Sequence, residues 1–134
     1  MQAEQQFLAQ GFTVVESTRG PMASSRVVLT DGVIDVFLFD DRGDRGVAAG
    51  VRGGTAVVIE VWARALGLPL VEPTGMDEQV AWTLDHLAEI RAAAERDPEL
   101  GEKLKDVNWE DVKQRLGLRP EASRHDPRTW QRPT

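Results

Sequence analysis

A chain of 134 residues with 41% hydrophobic and 28% charged content is long enough to bury a core and is ordinary for a folded globular protein. The absence of cysteine excludes disulfides, thiolate catalysis and sulfur-ligated zinc, and no apolar run reaches the roughly eighteen residues that a membrane span needs. The net charge of −6 is uneven: residues 1–75 carry −3, residues 76–118 carry −5, and the last sixteen carry +2.

In chain order, a helix is expected around Ala3–Ala9, held by Phe7 and Leu8. The β-branched stretch Phe12–Ser17 reads as a strand, ended by Gly20-Pro21. Arg26–Thr30 and Val33–Phe39 flank Asp31-Gly32, and an Asp-Gly pair between apolar runs signals a hairpin because both residues tolerate positive φ. In the second run Ile34, Val36 and Leu38 share one face, which is expected to be core. Val33, Asp35, Phe37 and Phe39 share the other, a mixed face expected to be partly covered by a helix or a partner. After the polar turn Asp40–Arg45, Gly46–Arg52 reads as a fourth strand weakened by glycine.

Helices follow. Thr55 is placed to cap a helix carrying Val58, Val61, Trp62, Ala65 and Leu66 and stopped by Gly67. The run Val57-Val58-Ile59 reads equally as a strand, so residues 55–61 stay open between the two. Pro69 and Pro73 mark a connector. Met76–Glu95 has the clearest helical pattern, with Val80, Leu84, Leu87 and Arg91 on one stripe. Asp97-Pro98 reads as the start of a short helix to about Leu104, and Asn108 as the cap of another carrying Trp109, Val112 and Leu116 and closed by Gly117. The expected fold is α+β, an antiparallel meander of three or four strands followed by a helical C-terminal half packed on one face. Residues 1–118 form one domain in this reading, and residues 119–134 a flexible basic tail.

Catalytic patterns are missing. His86 lies on the long helical pattern and His125 in the tail, no serine is flanked as a nucleophile elbow is, and tyrosine is absent. Gly50-Val51-Arg52-Gly53-Gly54 lacks the lysine and hydroxyl of a phosphate loop. Asp40, Asp41 and Asp44 place three carboxylates in five residues. Arg42 and Arg45 supply counter-charge and the spacing is not that of a calcium loop, so no metal and no cofactor is expected. The first residues, Met1-Gln2-Ala3-Glu4-Gln5-Gln6, lack the charged flank and apolar stretch of a secretory signal, which with the missing cysteine gives the expectation of a cytoplasmic protein.

An acidic surface repels nucleic-acid phosphates and suits a basic protein partner instead. Tryptophan is enriched at interface anchors, and Trp82 lies off the apolar stripe with Glu78, Asp85 and Glu89 on its own side. These four residues are the expected protein-binding site.

Within Phe12 to Leu118, a β-meander with the strand end Phe39-Asp40-Asp41-Arg42-Gly43 is followed by a short helix ending Ala65-Leu66-Gly67-Leu68-Pro69, a long acidic helix and Asn108-Trp109. In these features the chain resembles small uncharacterised actinobacterial proteins, some of them thought to be immunity proteins from toxin loci. The resemblance implies a non-catalytic partner that neutralises a toxin by occluding a basic active site. The expected function is an acidic, non-catalytic protein-binding module of this kind. The alternatives are a small-ligand-binding domain, with the mixed face of Val33–Phe39 as a pocket wall, and a regulatory interaction module.

Overall fold

The β-rich stretch between Thr13 and Val58 resolves into five antiparallel strands joined in chain order: β1 (Thr13–Arg19), β2 (Ser24–Thr30), β3 (Ile34–Asp41), β4 (Asp44–Val51) and β5 (Val57–Val58). The structure, a computed structural model, describes residues 2–20, 24–68, 70 and 75–130. Pro21, Pro69 and Pro73, read as turn and connector markers, lie outside those residues. The helices are α1 (Gln2–Leu8), α2 (Ile59–Leu66), α3 (Met76–Asp85), α4 (Leu87–Arg96) and α5 (Leu100–Leu116). The architecture is therefore α+β, a meander one short strand longer than expected with a helical second half.

The two β3 turns differ in chemistry. Between β3 and β4 a two-residue loop places Arg42 at φ 57° and Gly43 at φ 88°, two consecutive positive φ values as a type I′ hairpin requires. Between β2 and β3 only Gly32 has positive φ, at 96°. Asp31 acts there through its carboxylate instead: Oδ1 accepts from the N–H groups of Val33 and Ile34, both at 2.9 Å, and Oδ2 accepts from Arg91 of α4. Arg91, expected on the apolar stripe, thus bolts the hairpin to a helix while its guanidinium lies 5.9 Å over the Phe12 ring. The Asp31 side chain is only 8% exposed. Burial pushes its carboxyl up, but the two N–H donors and Arg91 together outweigh burial and hold it below the ordinary value.

Ile34, Val36 and Leu38 are fully buried, as expected of the aliphatic face. They share one core cluster with Val27, Leu29, Val47, Ala49 and Val57 of the sheet and with Phe7, Trp62, Val80, Leu87, Ile90 and Leu104 of the helices. In the first helix Ala3 and Phe7 are buried while Leu8 is exposed, so Phe7 rather than Leu8 holds it. Residues 55–61 divide: Val57–Val58 pair with Ala48 and Ala49 as β5, and the helix begins at Ile59 with no side-chain cap. Thr55 is no cap, because its hydroxyl donates to Glu102 of α5. Gly67, at φ 68°, closes α2 with Leu68 N–H donating to the Ala63 carbonyl, as expected of a left-handed stop.

The long pattern Met76–Glu95 is two helices broken at His86. Neither glycine nor proline marks the break. Thr83 is fully buried, and its hydroxyl donates back to the Gln79 carbonyl at 2.7 Å, a local bond that competes with the helical ladder and bends helices. Conversely, the two short helices expected after Asp97 are one: α5 runs unbroken for 17 residues, with Asn108 in its interior. Lys105-Asp106-Val107 contains no breaker, and Asp97 caps only the preceding turn through Glu99 N–H.

The expected flexible tail folds back along α5 up to Trp130, leaving only residues 131–134 outside the described part. Ala122 is buried, its carbonyl accepts from Trp109 Nε1 at 2.8 Å, and the Trp130 ring lies 5.1 Å from that of Trp109. Arg124 bridges Asp106 at 2.7 Å and Glu102 at 2.6 Å. A segment poor in apolar residues is ordered here by one aromatic pair and by satisfied polar groups.

Asp31→Ala removes the acceptor of two backbone N–H groups and of Arg91, and the expected loss in urea unfolding at pH 7 is about 3 kcal/mol. A carboxyl held below its ordinary value of about 3.9 contributes fully above that pH and loses its contribution as pH falls through the folded-state value. The gap between wild type and variant should therefore hold from neutral pH and shrink only below about pH 4. A gap unchanged to the acid limit would show that the bond is not ionic. Deleting residues 119–134 should lower stability by about 2 kcal/mol, from the lost ring contact and the orphaned Trp109 N–H. Coincident thermal melts of the two forms would show the docked segment to be energetically silent.

Candidate functional site

Trp82 is not the exposed anchor expected from the helical wheel. It is 6% exposed and belongs to the core, with its ring centroid 4.8 Å from that of His86. The reason lies in its neighbours: the buried residues of α3 are Gln79, Val80, Trp82 and Thr83, an arc centred on two polar residues. Gln79 is buried because its Oε1 accepts from Val47 N–H of β4 at 2.8 Å, and Thr83 because it bonds the Gln79 carbonyl. A pattern read by hydrophobicity rotates that arc away from Trp82. The indole Nε1 and His86 Nδ1 are both buried without a hydrogen-bond partner.

Glu78 and Asp85 are exposed on α3, and Glu89 is half-exposed on α4, its carboxylate 3.7 Å from His86 Nδ1. Glu78 curls back over Gly75 at the start of α3, where a β-carbon would stand 2.7 Å from its Oε2. The structure thus leaves the three acids on the surface but separates them from the aromatic they were expected to surround.

A different surface combines the same chemistry. Antiparallel register aligns Glu16, Val28, Phe37, Ala48 and Val58 in one row across all five strands, on the face opposite the core cluster. A parallel row carries Thr18, Arg26, Phe39 and Gly46. Val28, Ala48, Phe37, Phe39 and Val58 are not part of the helix-covered cluster, but Val28 (5% exposed) and Ala48 (9%) are themselves buried on this face, Phe37 and Phe39 are half-buried, and Val58 is 37% exposed. Phe39 lies flat across its neighbour, since a β-carbon on Gly46 would stand 2.5 Å from its ring; glycine there makes room for the phenylalanine. Arg26 lies 5.9 Å over the Phe37 ring and pairs with Glu16 at 2.6 Å.

The strand positions on this face supply four carboxylates, Glu16, Asp35, Asp41 and Asp44, against the single guanidinium of Arg26. Asp41 and Asp44 stand directly opposite each other, an arrangement of like charges that disfavours the sheet. Asp41 accepts from the Ser24 hydroxyl at 2.8 Å. Asp40 points to the other face, where it pairs with Arg45 at 3.0 Å and accepts from Gly43 N–H. Alternation therefore splits the three carboxylates between two faces. Among the described residues no group of three or more histidine or acidic side chains is placed to hold a metal ion.

At its β5 end the apolar row meets a cleft of about 430 Å³ between α2 and α5, which Val58 lines together with Glu60, Arg64, Asn108, Asp111 and Arg115. Arg64 and Asp111 form an ion pair across it, and that bond holds the Asp111 carboxyl below its ordinary value. Sequence reading missed the row because its register depends on a bulge between Val14 and Glu16, which has no local signature, and on the pairing of β5 with β4, which the β-like run Val57-Val58-Ile59 does not specify.

Trp82→Ala should cost about 3–5 kcal/mol in urea unfolding, as loss of a buried indole does. Trp82→Phe keeps most of the packing and removes an unsatisfied donor, so its cost should stay below about 1.5 kcal/mol. An alanine variant of wild-type stability would show that the indole is not part of the core.

No helix among the described residues is long and apolar enough to cross a membrane. No protein-family model matches the chain, and no curated protein or solved structure matches it either.

Proposed function

We propose that the chain is an acidic, non-catalytic protein-binding module that receives a basic partner on the open face of its sheet. The observation that carries this reading is the cross-strand row Val28–Phe37–Ala48–Val58, an apolar strip outside the core and framed by carboxylates. An apolar centre with a charged rim is the anatomy of a specific interface, and here the half-buried Phe37 and the exposed Val58 are the apolar side chains of the row that a partner can reach, over the buried Val28 and Ala48. The excess of carboxylates on that face selects a partner rich in lysine and arginine and speeds its encounter.

Toxin neutralisation is the form of this activity that the resemblance implies, with the basic partner a toxin whose active site the sheet face covers. A regulatory interaction module would use the same surface on a different partner. The cleft between α2 and α5 supports the second reading, a small polar ligand held between Arg64, Asn108 and Arg115 beside Val58.

The test uses a partner captured by co-purification with the full chain from its native host. Phe37→Ala should speed dissociation at least about tenfold, as loss of a central aromatic anchor does. Asp41→Lys together with Asp44→Lys should slow association and flatten its dependence on salt, because the steering charges are gone. Dissociation unchanged by Phe37→Ala would place the interface elsewhere.

A further inference from the structure

The C-terminal segment shows a second surface with a defined ligand chemistry. Glu102, Asp106, Trp109 and Lys113 are spaced four, three and four residues apart on α5, which places them on one stripe. The opposite stripe, with Leu104, Asn108 and Asp111, faces α2 and the core. On the outer stripe sits a basic, aromatic peptide, the chain's own residues 119–130. Arg124 spans Glu102 and Asp106, the Trp109 indole donates to the Ala122 carbonyl, Lys113 Nζ donates to the Pro120 carbonyl, and Trp130 lies against Trp109.

Among the described residues every hydrogen bond, ion pair and ring contact that joins residues 118–130 to the rest of the protein ends on α5. The segment also carries its own internal order. Asp126 caps the 3-10 turn Pro127–Thr129, the Thr129 hydroxyl accepts from Ser123 N–H, and Trp130 Nε1 donates to the Ser123 carbonyl. It is a preformed unit attached to α5 through Gly117, at φ 66°, and Leu118, whose N–H is bonded to the Lys113 carbonyl. Pro120 biases Arg119 toward extended backbone, so exchange has to open the Leu118 bond and swing the segment about Gly117.

We propose that the outer stripe of α5 is a receptor for residues 119–130 of a second copy of this chain, and that two copies exchange these segments reciprocally. Nothing in the contacts requires the segment and the helix to belong to one chain, and exchanging an identical element is a low-cost route to a dimer. Charge favours the same arrangement: each basic segment lies between two acidic bodies and offsets their repulsion. Docking within one chain benefits from a millimolar effective concentration, so the exchanged dimer gains ground as protein concentration rises toward that range.

The experiment uses two full-length variants, Arg124→Glu and the double variant Glu102→Lys with Asp106→Lys. Each alone sets like charges against each other, and each is expected to sediment as a single chain with its tryptophan emission shifted by the released segment. On mixing, both crossed pairings become favourable, so the sedimenting mass should double and the emission should return to that of wild type. A mixture that keeps the mass of one chain and the emission of a released segment overturns the proposal. Where either variant fails to fold alone, wild-type contacts decide the matter. Glu121→Cys and Lys105→Cys, on separate full chains without other cysteines, carry a donor and an acceptor fluorophore. Energy transfer that grows with total concentration supports exchange, and its absence at the highest soluble concentration refutes it.

Discussion

β4 is buried along most of its length, yet only Ala48 and Ala49 have partners in β5, so the remaining edge of the strand must be satisfied by something other than a strand. Gln79 of α3 meets that requirement by accepting from Val47 N–H, and within the stretch that β5 pairs Trp62 of α2 adds a bond from Nε1 to the Ala49 carbonyl at 2.9 Å. Both bonds are buried, and loss of the Gln79 acceptor would leave the Val47 N–H without its partner. They fix α2 and α3 against the sheet, and α2 in turn sets the position of α5. The same requirement protects the edge against pairing with another chain, because a helix covers the part of β4 that β5 leaves open.

The placement of the helices decides what the other face of the sheet can do. Helical burial on one face completes the core with Ile34, Val36 and Leu38, so the alternate positions of β3 are released from packing the interior. Those positions are Asp35, Phe37, Phe39 and Asp41, two aromatics bracketed by carboxylates. Such a strand is over-specified for a merely solvated surface, where polar residues serve as well at lower risk of association. Glycine at position 46 reinforces the point, since it lets the Phe39 ring lie down on the sheet and broadens the apolar floor.

Much of the fold was legible wherever one principle acted alone. β-branched runs and the Asp31-Gly32 turn marked the strands, the aliphatic side of β3 marked the core, and Gly67 and Gly117 marked helix ends through their left-handed backbone. Reading failed where polar side chains did the work of apolar ones. Gln79 and Thr83 occupy the buried centre of α3, so hydrophobicity misplaced the arc and put Trp82 outside it. The break at His86 came from a hydroxyl bonding its own helix, a signal any surface threonine also carries. Residues 119–130 were read as loose from their composition, yet their order comes from a partner surface that composition does not describe. Of the candidate site, the mixed face of β3 was legible, but the row across five strands required a register that only the folded sheet defines.

The distribution of charge separates steering from contact. On α5 the acids find cations close by: Asp111 pairs with Arg64, and Glu102 and Asp106 share Arg124. Asp31 is matched by Arg91, and Asp97 by Lys103. Paired charges largely cancel beyond a Debye length of about 8 Å. The field that reaches a distant partner therefore arises from acids without such a neighbour, Asp85 on α3 and Asp44 at the β3–β4 turn among them. Asp44 shares the face of the apolar row, two same-face positions from Ala48, while Asp85 lies on α3, away from the row. Under the proposed function the acids of α3 and α4 would act at long range by drawing a basic partner in, and the sheet face would hold it after arrival. The two tasks need different residues, because charge governs the rate of encounter and buried apolar area governs how long the complex lasts. Under the proposed function, surface carboxylates with no aromatic among them and an aromatic face with few bases would divide encounter from retention.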